Sequence, residues 1–230
     1  THLSPFHHSF QDMEKEILAA CGKGDPEEIL SSAFKLKITR EDIHTLRNQC
    51  WLNDEVINFY LGLVMQRSKK EDYPSVYAFS TFFLPKLTMD GYKGVSRWTR
   101  CVDIFKHDVI FVPINSNLHW SLVAMDLRVK SIHYFDSLGK NGDDICQVLL
   151  KYLQQEMREK RKEELDMSEW MLHSMAPHEI PQQYNGYDCG VFMCKYADYL
   201  SQDRALTFSQ SCMPYFRKRM VWEILHQVLL

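Results

Sequence analysis

Hydrophobic positions in this chain of 230 residues follow two spacings, and short polar segments separate one from the other. Apolar residues that recur every three or four positions predict helices, whereas alternating residues or short apolar runs predict strands. The helical segments are Met13 to Ala20, Asp25 to Ser32, Leu52 to Val64, Asp143 to Lys162, Cys189 to Leu200 and Pro214 to Leu230. The strand segments are Phe34 to Ile38, Val109 to Ile114, Leu118 to Asp126 and Ser131 to Ser137. This pattern predicts an α+β fold, in which helices pack on a mixed central sheet.

Polar residues mark where several of these helices begin. Pro26 and the acids after it start the second helical segment, because proline and acidic residues favour a first helical turn. Thr39 followed by Asp42 has the spacing of a capping box, which predicts a further short helix. Asn53 or Asp54 caps the stronger helix that follows.

Two consecutive strands carry a histidine and an aspartate at matching positions. If residues 127–130 form the turn of an antiparallel hairpin, cross-strand partners have numbers that sum to about 255 to 257, which His119 and Asp136 satisfy. The two side chains are then direct or diagonal neighbours on one face, with β-carbons roughly 5 to 8 Å apart. We therefore expect the carboxylate of Asp136 to hold the imidazole of His119 in one tautomer.

A turn-rich segment delivers Cys189 to the start of a predicted helix. Turn formers such as Asn185 precede it, and Asp188 is placed to cap the helix. A thiol at a helix start lies beside unpaired N–H groups and the positive end of the dipole, which favour the nucleophilic thiolate. The order His119, Asp136, Cys189 thus supplies a base, an orienting acid and a nucleophile.

Each of the three residues also has a plainer interpretation. A buried cysteine is usually a small inert hydrophobe, a histidine beside a tryptophan is often a core residue, and an aspartate at a strand end is often a turn cap. The joint pattern favours catalysis, because a hairpin-matched histidine and aspartate together with a helix-start cysteine are needed for one chemistry.

With these residues in place, the chain resembles the ubiquitin-like-protein-specific cysteine proteases, also called sentrin- or SUMO-specific proteases, from Met13 to Leu230. The most specific segments are Trp51 to Tyr60, His119-Trp120, Tyr134 to Leu138, Pro181 to Gln183, Asn185 to Gly190 and Pro214 to Met220. The resemblance implies a papain-like cysteine protease fold whose nucleophile lies at a helix N-terminus and comes last in the chain. It also implies that Gln183, six positions before Cys189, shares the oxyanion hole with the backbone N–H of that cysteine.

The same resemblance implies residues that bind substrate. Trp51 and Trp120 are expected to flank a narrow passage for the glycine tail of the modifier, since two indole faces exclude larger side chains. Four further residues fall where related enzymes contact the body of the modifier: Asp54, Phe82, Arg97 and Arg100. Without the resemblance, Trp51 could equally be a hydrophobic staple before a helix cap, and the basic residues a solvated face.

The function implied is cleavage after the C-terminal Gly-Gly of SUMO, both in precursor maturation and in removal from lysine. The implied partners are SUMO precursors and SUMO-conjugated proteins, with no cofactor, no metal, no nucleic acid and a monomeric state. The resemblance also implies a nuclear location, with the nuclear envelope or shuttling to the cytoplasm left open. The alternatives are a SUMO-binding module without turnover, a protease for another ubiquitin-like modifier such as NEDD8, and acyl transfer from coenzyme A.

Composition and charge narrow these interpretations. A hydrophobic content of 45% can bury one sizeable core, so we expect one catalytic domain of residues 13–230. Residues 1–12 show no periodicity, so we expect them to form a flexible N-terminal arm. A formal net charge of −3 gives no indication of nucleic-acid binding, and no apolar run has the length of a membrane span. The seven cysteines form no CxxC pair, which argues against a disulfide framework and a zinc ribbon. Histidines 2, 7 and 8 are more typical of a solvated terminus than of a metal site.

Overall fold

A five-stranded sheet forms the centre of the protein in the computed structural model, which describes residues 10–70 and 72–230. The strands of that sheet are β3 (Val76–Ala78), β4 (Val109–Ser116), β5 (His119–Asp126), β6 (Ser131–Phe135) and β7 (Met171–Ser174). A separate two-stranded hairpin consists of β1 (Ile29–Ala33) and β2 (Leu36–Thr39). The helices are α1 (Phe10–Cys21), α2 (Arg40–His44), α3 (Asp54–Arg67), α4 (Phe83–Val95), α5 (Asp143–Arg161), α6 (Cys189–Leu200) and α7 (Met213–His226).

The central sheet is mixed, and its strands follow the order β3, β4, β5, β6, β7. The outer pairs β3–β4 and β6–β7 are parallel, whereas β4–β5 and β5–β6 are antiparallel. Two apolar clusters cover the sheet: one includes residues of α3, α6 and α7, and the other residues of α4 and α5. Because both faces are covered, the first six residues of β4 are all buried, which explains its continuous apolar run. The predicted α+β fold with a mixed sheet is confirmed.

The predicted hairpin of β5 and β6 is also present. Leu122 pairs with Phe135 and Asp126 with Ser131, a register within the predicted range. The starts of three helices agree with the capping analysis: Thr39 and Asp42 form a complete capping box, Asn53 caps α3, and α6 begins at Cys189.

One predicted helix is wrong. The segment from Asp25 to Ser32 contains a turn and then β1, which pairs antiparallel with β2 through a turn whose residues Phe34 and Lys35 both have positive φ. The predicted strand from Phe34 therefore begins two residues later, at Leu36. Long-range contacts account for the strand, because the Ser31 hydroxyl donates to the carbonyl of Ile224 in α7 at 2.7 Å.

Helix α1 begins at Phe10, so residues 10–12 of the predicted arm are helical. The rest of that arm, including the three histidines, lies outside the described residues. Helix α7 ends at His226, because Gln227 adopts a left-handed conformation with a φ of 55°, before the predicted end at Leu230.

Helices α3, α6 and α7 share a buried ionic cluster. Lys195 of α6 is fully buried, and its ammonium donates to the Tyr60 hydroxyl at 2.6 Å and to Asp198 at 3.2 Å. Arg67 of α3 pairs with Asp198 at 2.7 Å, and Glu223 of α7 lies 3.8 Å from the Lys195 ammonium. Because a buried charge is costly without its partner, this cluster fixes the three helices relative to one another.

Candidate active site

His119 and Asp136 meet at one edge of the central sheet. His119 is the first residue of β5, and Asp136 directly follows β6 on the paired strand. The imidazole Nε2 lies 2.9 Å from Asp136 Oδ1, and the two residues are 7% and 0% exposed. The hairpin therefore brings the pair together as its register predicts.

Three donors surround the carboxylate of Asp136. His119 and the backbone N–H of Leu138 contact Oδ1, the latter at 2.8 Å, while the Tyr134 hydroxyl donates to Oδ2 at 3.0 Å. Burial raises the pKa of this carboxyl, but the hydrogen bonds from His119, Leu138 and Tyr134 and the charge of His119 outweigh it and hold the pKa below its ordinary value. Asp136 is thus an ionised acceptor aimed at the imidazole.

Cys189 is the buried first residue of α6 and faces His119. Burial lowers the pKa of the imidazole, yet hydrogen bonds with Asp136 and Cys189, together with their charges, outweigh it and raise the pKa to about 9. Because Nε2 is bonded to Asp136, the other ring nitrogen is the one available to the thiol. The structure thus brings together the three residues that the sequence predicts.

The capping role predicted for Asp188 is wrong. Asp188 occupies the N-cap position of α6, but its side chain makes no capping hydrogen bond. The buried carboxylate instead pairs with Arg217 of α7 at 2.8 Å. The sequence favoured a cap because aspartate commonly caps helices, and nothing local indicates a partner so far along the chain.

Gln183 is buried, and both ends of its amide are bound. The Ser137 hydroxyl donates to Oε1 at 2.5 Å, and Nε2 donates to the carbonyl of Asn185 at 2.6 Å. An amide nitrogen carries two donors, so this contact uses one of them and leaves the other available. The neighbouring Gln182 instead donates to the backbone carbonyls of Asp136 and Pro181. The two neighbouring glutamines therefore differ in their hydrogen bonds: the Gln183 amide binds Ser137 and Asn185, and the Gln182 amide binds backbone carbonyls.

Trp120 and Trp51 have different environments. Trp120 is buried and donates from Nε1 to the carbonyl of Leu52 at 2.9 Å, whereas Trp51 is 50% exposed. A β-carbon added to Gly190 would lie 2.9 Å from Leu52 Cβ and 3.2 Å from Trp120 Cδ1. Glycine at position 190 thus allows α6 to approach Trp120 beside the cysteine.

The other predicted substrate contacts lie on separate surface elements. Asp54 is the first residue of α3, and Phe82, 57% exposed, directly precedes α4. Arg97 and Arg100 are exposed after α4 and line a groove of about 700 Å³ between α4 and α5. His119, Asp136 and Cys189 do not line this groove.

Sequence reasoning overlooked Tyr134 and Ser137, which contact Asp136 and Gln183. Tyr134 precedes Asp136 by two residues, and residues two apart on a strand share a face, so this contact could have been found from spacing. It also overlooked Arg217 and Gln210, which bind Asp188 from distant segments and leave no local signal.

No group of three or more histidine, cysteine or acidic side chains in the described ranges, 10–70 and 72–230, could hold a metal ion. Within those ranges, no helix has both the length and the apolar character to cross a membrane.

Comparison with known proteins gives consistent matches. A family model described as the Ulp1 protease family, C-terminal catalytic domain, matches residues 50–229. Sentrin-specific protease 2 of Mus musculus is 60% identical over 220 residues, which cover 96% of this chain and 37% of that protein. The chain therefore spans little more than a third of the length of that relative.

Two solved structures share the fold. The C-terminal Ulp1 protease domain, solved in complex with Smt3, the yeast orthologue of SUMO, is 30% identical with a TM-score of 0.81, over 97% of this chain and 98% of that one. The SUMO protease Ulp1 with its catalytic cysteine oxidised to a sulfenic acid is 31% identical, also with a TM-score of 0.81, over 98% and 99%. The resemblance stated from the sequence is confirmed, and the chain belongs to the Ulp1 protease family.

Proposed function

We propose that this chain is a cysteine protease that cleaves after the C-terminal Gly-Gly of SUMO. The observation that carries the proposal is the buried arrangement of Cys189, His119 and Asp136, in which the thiol faces an imidazole held at 2.9 Å by an ionised carboxylate. The relatives named as SUMO or sentrin proteases support the choice of substrate.

The reaction begins from the Cys189 thiolate paired with protonated His119, whose pKa of about 9 keeps the proton on the imidazole at neutral pH. The thiolate attacks the carbonyl carbon of the terminal glycine, and the oxyanion accepts hydrogen bonds from the Cys189 N–H and the free donor of Gln183. Asp136 stabilises the imidazolium and fixes its orientation. His119 then returns the proton to the leaving amine, which departs as the tetrahedral intermediate collapses to a thioester.

Hydrolysis of the thioester completes the cycle. His119 takes a proton from water, and the resulting hydroxide adds to the thioester carbonyl in the same oxyanion hole. Collapse of this second intermediate breaks the carbon–sulfur bond and leaves the Cys189 thiolate beside protonated His119, as at the start of the cycle. The carboxylic acid of the released modifier loses its proton to solvent and leaves as a carboxylate. The leaving amine is a peptide nitrogen in maturation and a lysine nitrogen in removal from conjugates, so one site serves both reactions.

Substrate recognition is divided between the tail and the body of the modifier. Trp120 of β5, which packs beside Gly190, and the exposed Trp51, which precedes α3, hold the extended glycine tail. Asp54, Phe82, Arg97 and Arg100 bind the body of the modifier, and the exposure of Phe82 and both arginines is consistent with that role. We include in the proposal that the chain acts as a monomer and in the nucleus, which size-exclusion chromatography and fluorescence microscopy of the full-length protein test.

The decisive experiment is covalent capture by modifiers that carry a C-terminal electrophile. SUMO, NEDD8 and ubiquitin probes are incubated with the wild-type chain and with Cys189→Ser as the matched control, and the labelled residue is identified by mass spectrometry. We expect SUMO to label Cys189 and the control to remain unlabelled, because a serine hydroxyl is far less acidic than a thiol.

Other outcomes would assign other functions. Labelling by NEDD8 or ubiquitin alone would overturn the choice of substrate. Binding of SUMO without labelling or turnover would indicate a binding module. Acyl transfer from coenzyme A, without cleavage of any modifier, would indicate a transferase.

A further inference from the structure

The carboxylate of Asp188, the residue before the nucleophile, is fully engaged by side chains from outside α6. Oδ1 accepts from Arg217 Nε at 2.9 Å, and Oδ2 accepts from Gln210 Nε2 at 2.8 Å and from Asn185 Nδ2 at 2.7 Å. Asp188 is only 3% exposed. A buried carboxylate thus lies at the N-cap of the catalytic helix while binding none of that helix's N–H groups.

This arrangement departs from what an aspartate at that position ordinarily does. An N-cap aspartate accepts from the N–H groups of the second or third helical residue, and its charge complements the positive end of the helix. A reaction that builds an anion at the same end would then compete with that carboxylate. Because the Asp188 carboxylate binds Arg217, Gln210 and Asn185 instead, it does not compete with that anion.

We propose that Arg217 and Gln210 are positioning residues that hold the Asp188 carboxylate away from the first turn of α6. The N–H groups of Gly190 and Val191 are then not taken up by Asp188, and its negative charge is directed away from the helix end where the thiolate and the oxyanion form. This inference rests on the proposed cysteine-protease function, and neither Arg217 nor Gln210 touches the substrate.

Further hydrogen bonds hold the Arg217 side chain in place. Its guanidinium is 2% exposed and also donates to the carbonyls of Arg47 and Cys50, each at 2.8 Å, and of Tyr187 at 3.0 Å. These bonds fix the guanidinium from several directions, so it cannot follow Asp188 toward the helix. They also attach the segment that precedes Trp51 to the residue that precedes Asp188.

Gln210 binds the loop between Gln183 and Cys189 near both of its ends. Its Nε2 donates to Asp188 Oδ2, and its Oε1 accepts from the backbone N–H of Tyr184 at 2.9 Å. Tyr184 directly follows Gln183, so one side chain spans the loop that carries both proposed oxyanion donors. The glutamine thereby fixes the separation of the two donors as well as the direction of Asp188.

The first test compares two glutamines of similar environment. Gln210→Ala removes a half-buried amide that donates to Asp188, and Gln202→Ala removes a half-buried amide that donates to Asp198, away from the loop. Rates are measured per active site titrated with the electrophilic SUMO probe. We expect Gln210→Ala to lower kcat by roughly 2- to 12-fold, the range that one hydrogen bond supports, with KM unchanged, and Gln202→Ala to leave kcat unaltered.

Equal kcat values for these two variants would overturn the proposal. A rise in KM with an unchanged kcat would also contradict it, because that result indicates lost substrate binding rather than a disturbed reaction site.

The second test measures whether the Asp188 carboxylate lowers kcat once its charge partner has been removed. Arg217→Met leaves Asp188 without its charge partner, and we expect kcat per active site to fall on the order of 10-fold or more, because the charge of a carboxylate that turns toward α6 opposes the forming oxyanion. The double variant Asp188→Ala/Arg217→Met lacks the competing carboxylate, so kcat should recover above that of Arg217→Met. If Asp188 only supports the loop, the double variant should instead be slower.

Two measurements distinguish a failure of this inference from a failure of the proposed function or of folding: the alkylation rate of Cys189 and the unfolding transition of each variant. The alkylation rate of Cys189 by iodoacetamide, followed by peptide mass spectrometry, needs no modifier, so it tests Gln210→Ala against Gln202→Ala whatever the natural substrate is. A slower rate in Gln210→Ala alone supports the inference, and equal rates contradict it. If Arg217→Met does not fold, as shown by loss of its unfolding transition, the glutamine pair decides the question.

Discussion

Removing the Tyr134 hydroxyl tests how far the orienting carboxylate depends on its second oxygen. Tyr134→Phe keeps the ring, which packs against Gly142, and deletes only the donor that lies 3.0 Å from Asp136 Oδ2. Asp136 is 0% exposed, so bulk water cannot replace the lost donor. Oδ1 retains His119 and the Leu138 N–H, so the triad stays assembled but less firmly oriented.

The expected magnitude follows from the charge on the acceptor. A hydrogen bond to an ionised group contributes about 1.5–3 kcal/mol to stability, so the variant should lose that much free energy of unfolding at neutral pH. For a chain of this size the loss corresponds to a fall in Tm of roughly 3 to 12 °C. We expect kcat/KM to fall on the order of 10-fold, because 1.4 kcal/mol of lost orientation in the transition state has that effect.

The loss of unfolding free energy should also depend on pH, and the pKa of Asp136 gives the direction of that dependence. The pKa of Asp136 is held below its ordinary value, so its contribution to stability is present at neutral pH and is lost as the pH falls through the folded-state pKa. Without the Tyr134 donor that depression is smaller, so the destabilisation should be largest near neutral pH and shrink in acid. Urea unfolding of both proteins from about pH 2, below the ordinary aspartate pKa of about 3.9, to about pH 8, with single-turnover cleavage at neutral pH, measures both effects.

The exposed Tyr215→Phe serves as the matched control for loss of a hydroxyl. A Tyr134→Phe protein with the same stability and rate as this control would refute the reasoning. A destabilisation that does not vary with pH would show that the hydroxyl acts on something other than the ionised Asp136.

Three further predictions follow from the site. Gly190→Ala should destabilise the fold by about 1–3 kcal/mol and slow cleavage, since its β-carbon would lie 2.9 Å from Leu52 Cβ; unchanged thermal unfolding would contradict this. Trp120→Ala should narrow the rate difference between SUMO and a SUMO with alanine at its penultimate glycine in single-turnover assays, and an unchanged ratio would leave Trp120 a packing residue. Because the pKa of His119 is raised from 6.5 to about 9, its protonation contributes stability that is complete below pH 6.5 and is lost as the pH rises through 9. The stability difference between wild type and His119→Gln should therefore shrink as the pH rises from 6.5 to about 9 in urea titrations, and a constant difference across that range would exclude this linkage.

The parts of the fold that could be predicted from sequence are those in which local pattern and global packing agree. The β5–β6 hairpin was predictable because its register follows from two alternating runs and a short link, and that register alone places His119 near Asp136. The start of α6 at Cys189 was predictable because turn formers end where helical spacing begins.

The failures occur where distant segments override local preference. Pro26 and its neighbouring acids favour a helix, yet β1 forms because it pairs with β2 and contacts α7. Asp188 favours a cap, yet Arg217 binds it from 29 residues further along the chain. Single-sequence patterns carry no signal for such contacts, because neither partner has a spacing that identifies the other.

The contact between Asp188 and Arg217 has a consequence for the timing of synthesis. Translation proceeds from the N-terminus at about 5–20 residues per second, so the 29 residues that separate the two take roughly 1.5 to 6 seconds to add. Throughout that interval the nucleophile already exists in the nascent chain, but the guanidinium that fixes its neighbour does not. A growing polypeptide therefore carries Cys189 before the carboxylate beside it has been fixed, and the contact between Asp188 and Arg217 forms only after α7 has been made and has folded against the rest of the domain.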